Sequence, residues 1–313
     1  MASMKERAVL ILGAGTMQLP AIEAASRIGL KSYVVDGNPD APGAELSDRF
    51  EVIDLKDAGG IAEFGCSIPD LAGVFTAGTD FSASVAAVAE ALDLPGISLE
   101  VALDASRKER MRRRFAEAGV ASPAYYAIRP DRELPEQLEE AYRTVGVPGV
   151  AKPVDNMGAR GVRRVNAFPE LREAVEEARK HARDRVVIYE EWIDGQEYSI
   201  DALVYRGELT VTGIAERHIY FAPYFVELGH TLPARLSERE RRILIGTFSE
   251  GVRALGIDNG AAKGDVFLRE EGSGAVGEIA ARLSGGYMSG WTYPYATDVP
   301  LTEAGLRLAL GED

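Results

Sequence analysis

"AAKGDVFLREEGSGAVGEIAARL", residues 261–283, alternates apolar and polar positions on either side of Gly272-Ser-Gly274. A period of two broken by a glycine turn marks a β-hairpin. If the strands pair about that turn, Asp265 falls opposite Glu278, and alternation gathers Lys263, Asp265, Glu278, Ala280 and Arg282 on one face. Two opposed carboxylates repel unless a cation lies between them. Hard oxygen ligands not completely caged by protein suit Mg2+, or Mn2+, held jointly with substrate phosphates. Arg282 beside them suits the charge of a phosphoryl group in transfer. Taken alone, the hairpin reads equally well as a solvated sheet face.

Upstream, "QEYSIDALVY" (196–205) and "ELTVTGIAERH" (208–218) alternate as a second hairpin around Arg206-Gly207. A helix opens with the capping box Ser237 to Glu240 and runs to about Leu255. "GVAKPVDNMGARGVRRV" (149–165) sets Lys152 in a short apolar strand, where an ammonium needs an anionic partner. Gly158, Ala159 and Gly161 follow in a loop whose backbone can approach phosphate oxygens closely. No Gly-Lys-Ser/Thr follows, so it is not a P-loop. "YEEWIDGQEYSIDAL" (189–203) sets an acid pair before an aromatic, a common edge-strand pattern that can also present backbone groups to a purine. Between 99 and 119 one helical stretch carries "RKERMRRR", read as a solvated face with Lys108 the exception, and Gly119 is its stop.

The first part of the chain is different. "AVLILGAGTMQLPAIEAASRIGLKSYVVD" (8–36) reads as strand, glycine turn, helix and strand, the outline of a dinucleotide-binding unit. Gln18 stands where that fingerprint wants its third glycine. "LAGVFTAG" (71–78) is a further buried strand, followed at once by an Ala-rich helix, so a parallel, helix-covered sheet is expected. "TAGTD" (76–80) ends that strand, where ligands of open sheets lie. Thr79 and Asp80 there suit the amine end of an amino acid, and Arg282 its carboxylate. Gly15, in the opening turn, is a candidate wall of the same cleft.

The whole chain bounds the function classes. At 313 residues it is long enough for two or three packed units. A net charge of −14 argues against nucleic-acid binding, which needs a cationic surface. Cys66 is the only cysteine, so no internal disulfide forms and a reducing cytoplasm fits. No stretch is long and apolar enough for a membrane helix. With three histidines and one cysteine there is little scope for a nucleophilic triad. "ERHIYFAPYFVELGHTLPA" (216–234) offers His218 and His230 near aromatics as candidates for contact with reacting groups. "RLSGGYMSGWTYPYATD" (282–298) is a pocket wall or an ordinary loop.

In order along the chain stand a basic helix with lysine, a strand lysine with a glycine loop, an EE-x-I-x-G-x-E hinge and an acid hairpin ending E-I-x-x-R. This order resembles the ATP-grasp superfamily, most of all its carboxylate–amine ligases and carbamoyl-phosphate-synthase-like proteins. The resemblance implies an α/β and α+β fold. A Rossmann-like pre-ATP-grasp domain (1–98) precedes an ATP-grasp domain (99–313). The latter has a small nucleotide-clamping lobe at about 120–185 and a large lobe at 186–313, with a C-terminal lobe either absent or outside the chain. It implies ATP and Mg2+ as cofactors, small-molecule carboxylate and amine substrates, and a homodimer.

By resemblance, Lys108 and Lys152 contact the nucleotide and residues 155–161 close over the phosphates. Glu190 and Glu191 lie near the adenine amino group, next to Trp192, and Ile193 offers its backbone N–H to the ring. Glu197 binds ribose, Asp265 and Glu278 bind metal, and Arg282 stands near the acyl phosphate. The sequence departs from the pattern at Ala280, where many members carry an asparagine as third metal ligand. It departs again in the loop, where Met157 and Ala159 replace the usual serine. The function implied is an ADP-forming ligase that phosphorylates a small carboxylate, an amino acid in the first place, and passes it to an amine. A bicarbonate-using carboxylating enzyme and a non-catalytic ATP-binding member stay open.

Overall fold

The computed structural model describes residues 7–156, 158–221 and 225–312, so Met157 and the 222–224 part of the aromatic stretch lie outside it. β1 (Ala8–Leu12) is buried throughout its length. Its alternate residues feed two cores. Val9 and Ile11 pack with Ala21, Ile22 and Ala25 of α1 (Leu19–Arg27). Ala8, Leu10 and Leu12 pack with Ile61 of α2 (Ala58–Cys66) and Val88 of α3 (Ser82–Ala91). That is why the strand reads as one unbroken apolar run. β2 (Lys31–Asp36), β3 (Arg49–Val52) and β4 (Leu71–Phe75) complete a parallel sheet of order β3-β2-β1-β4. β3 is a short edge strand that the sequence pattern does not mark.

The single helix expected over 99–119 is two, α4 (Leu99–Asp104) and α5 (Lys108–Ala118). Arg107 is extended between them, and Gly119 closes α5 in the left-handed conformation. A four-stranded antiparallel sheet follows, of order β5-β8-β6-β7, from β5 (Tyr125–Ile128), β6 (Gly149–Pro153), β7 (Arg163–Val165) and β8 (Val187–Glu191). α6 (Leu134–Val145) and α7 (Phe168–His181) bury Leu138, Leu171 and Val175 on it.

The third sheet carries the expected acid pair. It is antiparallel, of order β11-β10-β9-β12-β13, from β9 (Gly195–Tyr205), β10 (Glu208–Tyr220), β11 (Val226–Thr231), β12 (Gly260–Arg269) and β13 (Gly274–Ala280). Both expected hairpins are present, with Tyr205 opposite Glu208 and Leu268 opposite Gly274. One face is apolar: Tyr198, Ile200, Ala202, Val266, Val276 and Ile279 pack against α8 (Glu238–Leu255) and against Met111 and Phe115 of α5. The capping box at Ser237 and Glu240 starts α8 as the sequence predicts.

Of two short closing helices, α9 (Tyr293–Thr297) arises within the 282–298 stretch read as wall or loop, and α10 (Leu301–Ala309) follows it. α10 returns to the first sheet, where Leu301 and Leu306 join its core. Among the described residues no helix is long and apolar enough to cross a membrane.

Candidate nucleotide and metal site

Period-two alternation dictates what the other face of the third sheet presents. Asp265 lies directly opposite Glu278, and Lys263 opposite Ala280, as the hairpin count predicts. A one-residue bulge beside Asp265 breaks the register that runs from the turn. Bulges of this kind re-aim a side chain. On β9, Ser199 is level with Asp265 and Asp201 with Lys263, which puts Glu197, Ser199 and Asp201 on the charged face. On β10 and β11, Arg217 pairs with His230.

The charges on this face are interlocked. Lys263 Nζ and Arg217 Nη1 both contact Asp265 Oδ1, the latter at 2.8 Å. Arg217 also holds Glu197 at 2.5 Å and Glu227 at 2.8 Å, and Glu227 pairs with His230 Nε2 at 2.5 Å. Burial pushes Glu197 up to about 7; Arg217 opposes this and the Asp265 carboxylate adds to it. Burial would also raise Glu227, but His230 and Arg217 hold it well below the usual carboxylate range. Glu278 accepts from Lys108 Nζ at 3.2 Å. Its surroundings oppose the charged form, yet Lys108, Lys152 and Lys263 bring it down to about 2. Both members of the acid pair therefore face cations.

α5 brings further charges to this face. Lys108 and Arg112, four residues apart, lie on one side of the helix with Met111 and Phe115. Lys108 is buried and also donates to the Asn156 carbonyl at 3.1 Å. Arg112, 1 % exposed, binds Glu190 at 2.8 Å and the Gly277 carbonyl. Lys152 reaches the other oxygen of Glu190 at 2.5 Å. Burial would raise Glu190, but Arg112 and Lys152 outweigh it and lower its pKa. The basic stretch is thus not a solvated face. Arg112 is core, while Arg107 pairs with Glu109 and Asp184, and Arg110 with Asp104 and Glu100. The i, i+3, i+4 stripe 108-111-112-115 is the signal that marks it.

The hinge residues lie between the two sheets. Glu190 is committed to Arg112 and Lys152, and Glu191 accepts the Ala124 N–H at 3.2 Å. The Trp192 ring lies between the Arg164 guanidinium, 4.1 Å from its centroid, and Phe225. Ile193 is buried at the turn into β9. Gly158, Ala159 and Gly161 all take positive φ. Glycine meets that demand without cost, and Ala159 meets it with some strain.

The candidate substrate residues also meet. Arg282 pairs with Asp80 at 3.1 Å, and Gly78 lies against Ser284 and Gly285 with no room for a side chain. Thr79 shares a 2.8 Å hydroxyl contact with Thr76. Gly15 heads the turn that leads to α1. The turn's odd residue has a role: Gln18 is buried, accepts the Ala77 N–H at 2.9 Å and donates to the Ala77 carbonyl. It clamps the head of α1 to the 76–80 turn where a dinucleotide would need open backbone. His218 is not brought to the acid pair. It is one residue out of phase with Arg217 and so on the opposite face, bonded to Thr231 at 2.8 Å.

Sequence reasoning missed Arg217, Glu227 and Asp201. Asp201, 1 % exposed, accepts from the Ser284 N–H at 3.1 Å and the Tyr293 hydroxyl at 2.7 Å. Burial raises its pKa against those two donors and Lys263. Gly213, across from Asp201, is what lets the Tyr293 ring lie so close.

Comparison with known proteins adds the following. Residues 145–290 match the model of an ATP-grasp domain. Protein y4rH of Sinorhizobium fredii is 28% identical over 99% of this chain, which spans 64% of that relative's length. The L-amino acid ligase of Bacillus licheniformis superposes with a TM-score of 0.80 at 26% identity, covering 97% of this chain and 74% of that one. The biotin carboxylase domain of the Hydrogenobacter thermophilus 2-oxoglutarate carboxylase, determined with MgADP and bicarbonate, gives 0.81 at 19% identity, covering 98% and 70%. Residues 145–290 carry an ATP-grasp domain, and the chain shares its fold with an L-amino acid ligase and a biotin carboxylase domain.

Proposed function

We propose that the chain is an ADP-forming ligase that activates a small carboxylate, an amino acid in the first place, and joins it to an amine. The observation that carries this reading is the opposition of Asp265 and Glu278 on a face shared with Lys108, Lys152 and Arg282-Asp80. The likeness to an L-amino acid ligase at 26% identity supports the substrate class.

The two carboxylates fit Mg2+: two hard oxygen donors on one strand pair leave the remaining coordination to phosphates and water. When bound there, the metal would neutralise the β- and γ-phosphate charge. The chain's own residues do the rest. Lys108 and Lys152 bind phosphate oxygens, and the amides around Gly158–Gly161 cover them. Arg282 holds the acceptor and meets the charge that develops as its carboxylate oxygen attacks the γ-phosphorus. The bond from that phosphorus to the bridging oxygen breaks, ADP leaves, and an acyl phosphate remains. The amine then attacks the acyl carbon and phosphate departs. His230, oriented by Glu227, is the candidate to accept the proton the amine loses. Positioning and electrostatics supply the acceleration, so no protein nucleophile is needed.

A phosphate-release screen over pairs of carboxylates and amines, with bicarbonate as a further acceptor, tests this reading. The expected result is release that depends on one amino acid and one amine, abolished in Glu278→Gln. Release with bicarbonate alone would favour a carboxylating enzyme. ATP binding with no release under any pair would make it a non-catalytic member. MgATP, and not NAD, should raise the melting temperature. A homodimer and a cytoplasmic location belong to the same reading, and light scattering of the full chain tests the first.

A further inference from the structure

The acid pair is unusual in what surrounds it. Next to the Asp265–Glu278 row stands the Lys263–Ala280 row, which offers an ammonium and a methyl group and no oxygen ligand. Lys263 is fixed there from both sides. Two residues from Asp265 on the same strand face, it contacts Oδ1, and in register on its other flank lies the buried carboxylate of Asp201. Arg217 meets the same Oδ1 at 2.8 Å while bound to Glu197 and Glu227. Among the described residues, no group of three or more His, Cys, Asp or Glu side chains is arranged to hold a metal.

A pair of divalent cations clamping a phosphoryl transfer needs a carboxylate that bridges them and oxygen donors on both sides. Here one side of the bridge is taken by cationic side chains. Their own acids hold them in place, so they stay when a nucleotide arrives. We propose that this site takes one divalent cation per bound nucleotide, and that Lys263, with Arg217, supplies at Asp265 the positive charge a second cation would bring. The inference rests on the ATP-binding reading above and narrows it. Glu278 and the outer oxygen of Asp265 bind the single ion, and the protein carries the second charge permanently. The missing third oxygen ligand at position 280 is then the counterpart of Lys263.

The test is a count. The full chain is equilibrated with Mn2+ and the non-hydrolysable β,γ-imido analogue of ATP and passed through a desalting column. Bound Mn2+ is read by electron paramagnetic resonance and nucleotide by absorbance. One Mn2+ per nucleotide is expected. Two per nucleotide would overturn the inference and leave the ATP reading standing. Retention of neither would remove both. In the double variant Lys263→Met, Ala280→Asn, with a wild-type circular dichroism spectrum, the count should rise to two; a count still at one overturns the role given to Lys263. Lys263→Arg, which keeps the charge, should stay at one whether or not the double variant folds.

Discussion

The two faces of the third sheet are built from the same five strands, and neighbouring residues divide between them. Ile279 lies in the core against α8, while Glu278, one position back, faces Lys108 and Asp265. Tyr198 and Ile200 are core, and Glu197, Ser199 and Asp201 are not. One face follows the ordinary rule that burial favours apolar groups. The other takes acids and cations out of water together and satisfies them largely with one another, an arrangement that pairs rarely stabilise relative to apolar residues. The apolar face therefore holds the fold, and the charged face carries the candidate site. Substitution of neighbours should separate the two.

The largest effect is expected at Glu278. Glu278→Gln should abolish measurable phosphate release, a loss beyond about a thousandfold, with a circular dichroism spectrum unchanged from wild type. Release within tenfold of wild type would remove the acid pair from the mechanism. Next comes Arg112→Met, which leaves the Glu190 carboxylate buried with Lys152 alone. Breaking a buried pair costs about 3–5 kcal/mol, to be read by urea denaturation. A cost below about 1 kcal/mol would mean that Arg112 is dispensable to the junction. Ile279→Ala, on the apolar face, should cost about 2–5 kcal/mol through the cavity it opens, with the KM for ATP unchanged in the folded fraction. These last two variants lose stability from opposite faces, and only Arg112→Met should also weaken nucleotide binding through Lys152.

How much of this was legible in the sequence depends on how far each contact lies from a turn. The β12–β13 hairpin was legible as a hairpin because Gly272-Ser-Gly274 marks its turn, and Asp265 does face Glu278; counted straight from Leu268 and Gly274 it would have met Gly277, so a bulge completes this pairing too. The parallel first sheet was legible from its apolar runs. Arg217 was not. Counted straight from the Arg206-Gly207 turn, Glu216 falls opposite Glu197, an unfavourable like-charge pair. A bulge between Val211 and Gly213 moves the register by one and delivers Arg217 instead. Only tertiary pairing specifies a bulge of that kind. Arg112 was hidden differently, in an eight-residue stretch with six basic residues whose net charge masks a buried stripe. His218 failed as a candidate for the same period-two reason that Asp265 succeeded.

The charged face should also respond to pH where the apolar face does not. Glu197 is pushed up to about 7 from an ordinary 4.5. Between those values the folded protein holds a proton that the unfolded chain has released. Its contribution to stability is complete below about pH 4.5 and is lost as pH rises through about 7. For a group so closely coupled to Arg217 and Asp265 the span is at most about 3 kcal/mol. Denaturation of the metal-free protein at pH 5 and pH 8 should expose the decline, and Glu197→Gln should flatten it. An equal slope in the variant would assign the titration elsewhere.

The smallest effect tests the seam where the charged face meets the first sheet. Tyr293 is fully buried, its ring set in the space that Gly213 leaves and its hydroxyl on Asp201. Tyr293→Phe keeps the ring and removes one donor, leaving Asp201 with the Ser284 N–H and the Lys263 charge across the strand. A hydrogen bond to a charged group contributes about 1.5–3 kcal/mol; with two partners retained, the loss should be about 1–2 kcal/mol. Asp201 also anchors the segment that begins at Arg282, two residues before Ser284. The variant should therefore raise the KM for the carboxylate acceptor more than that for ATP. Equal changes in both would mean that Asp201 braces the sheet as a whole, and no change in either would confine the Tyr293 hydroxyl to stability alone.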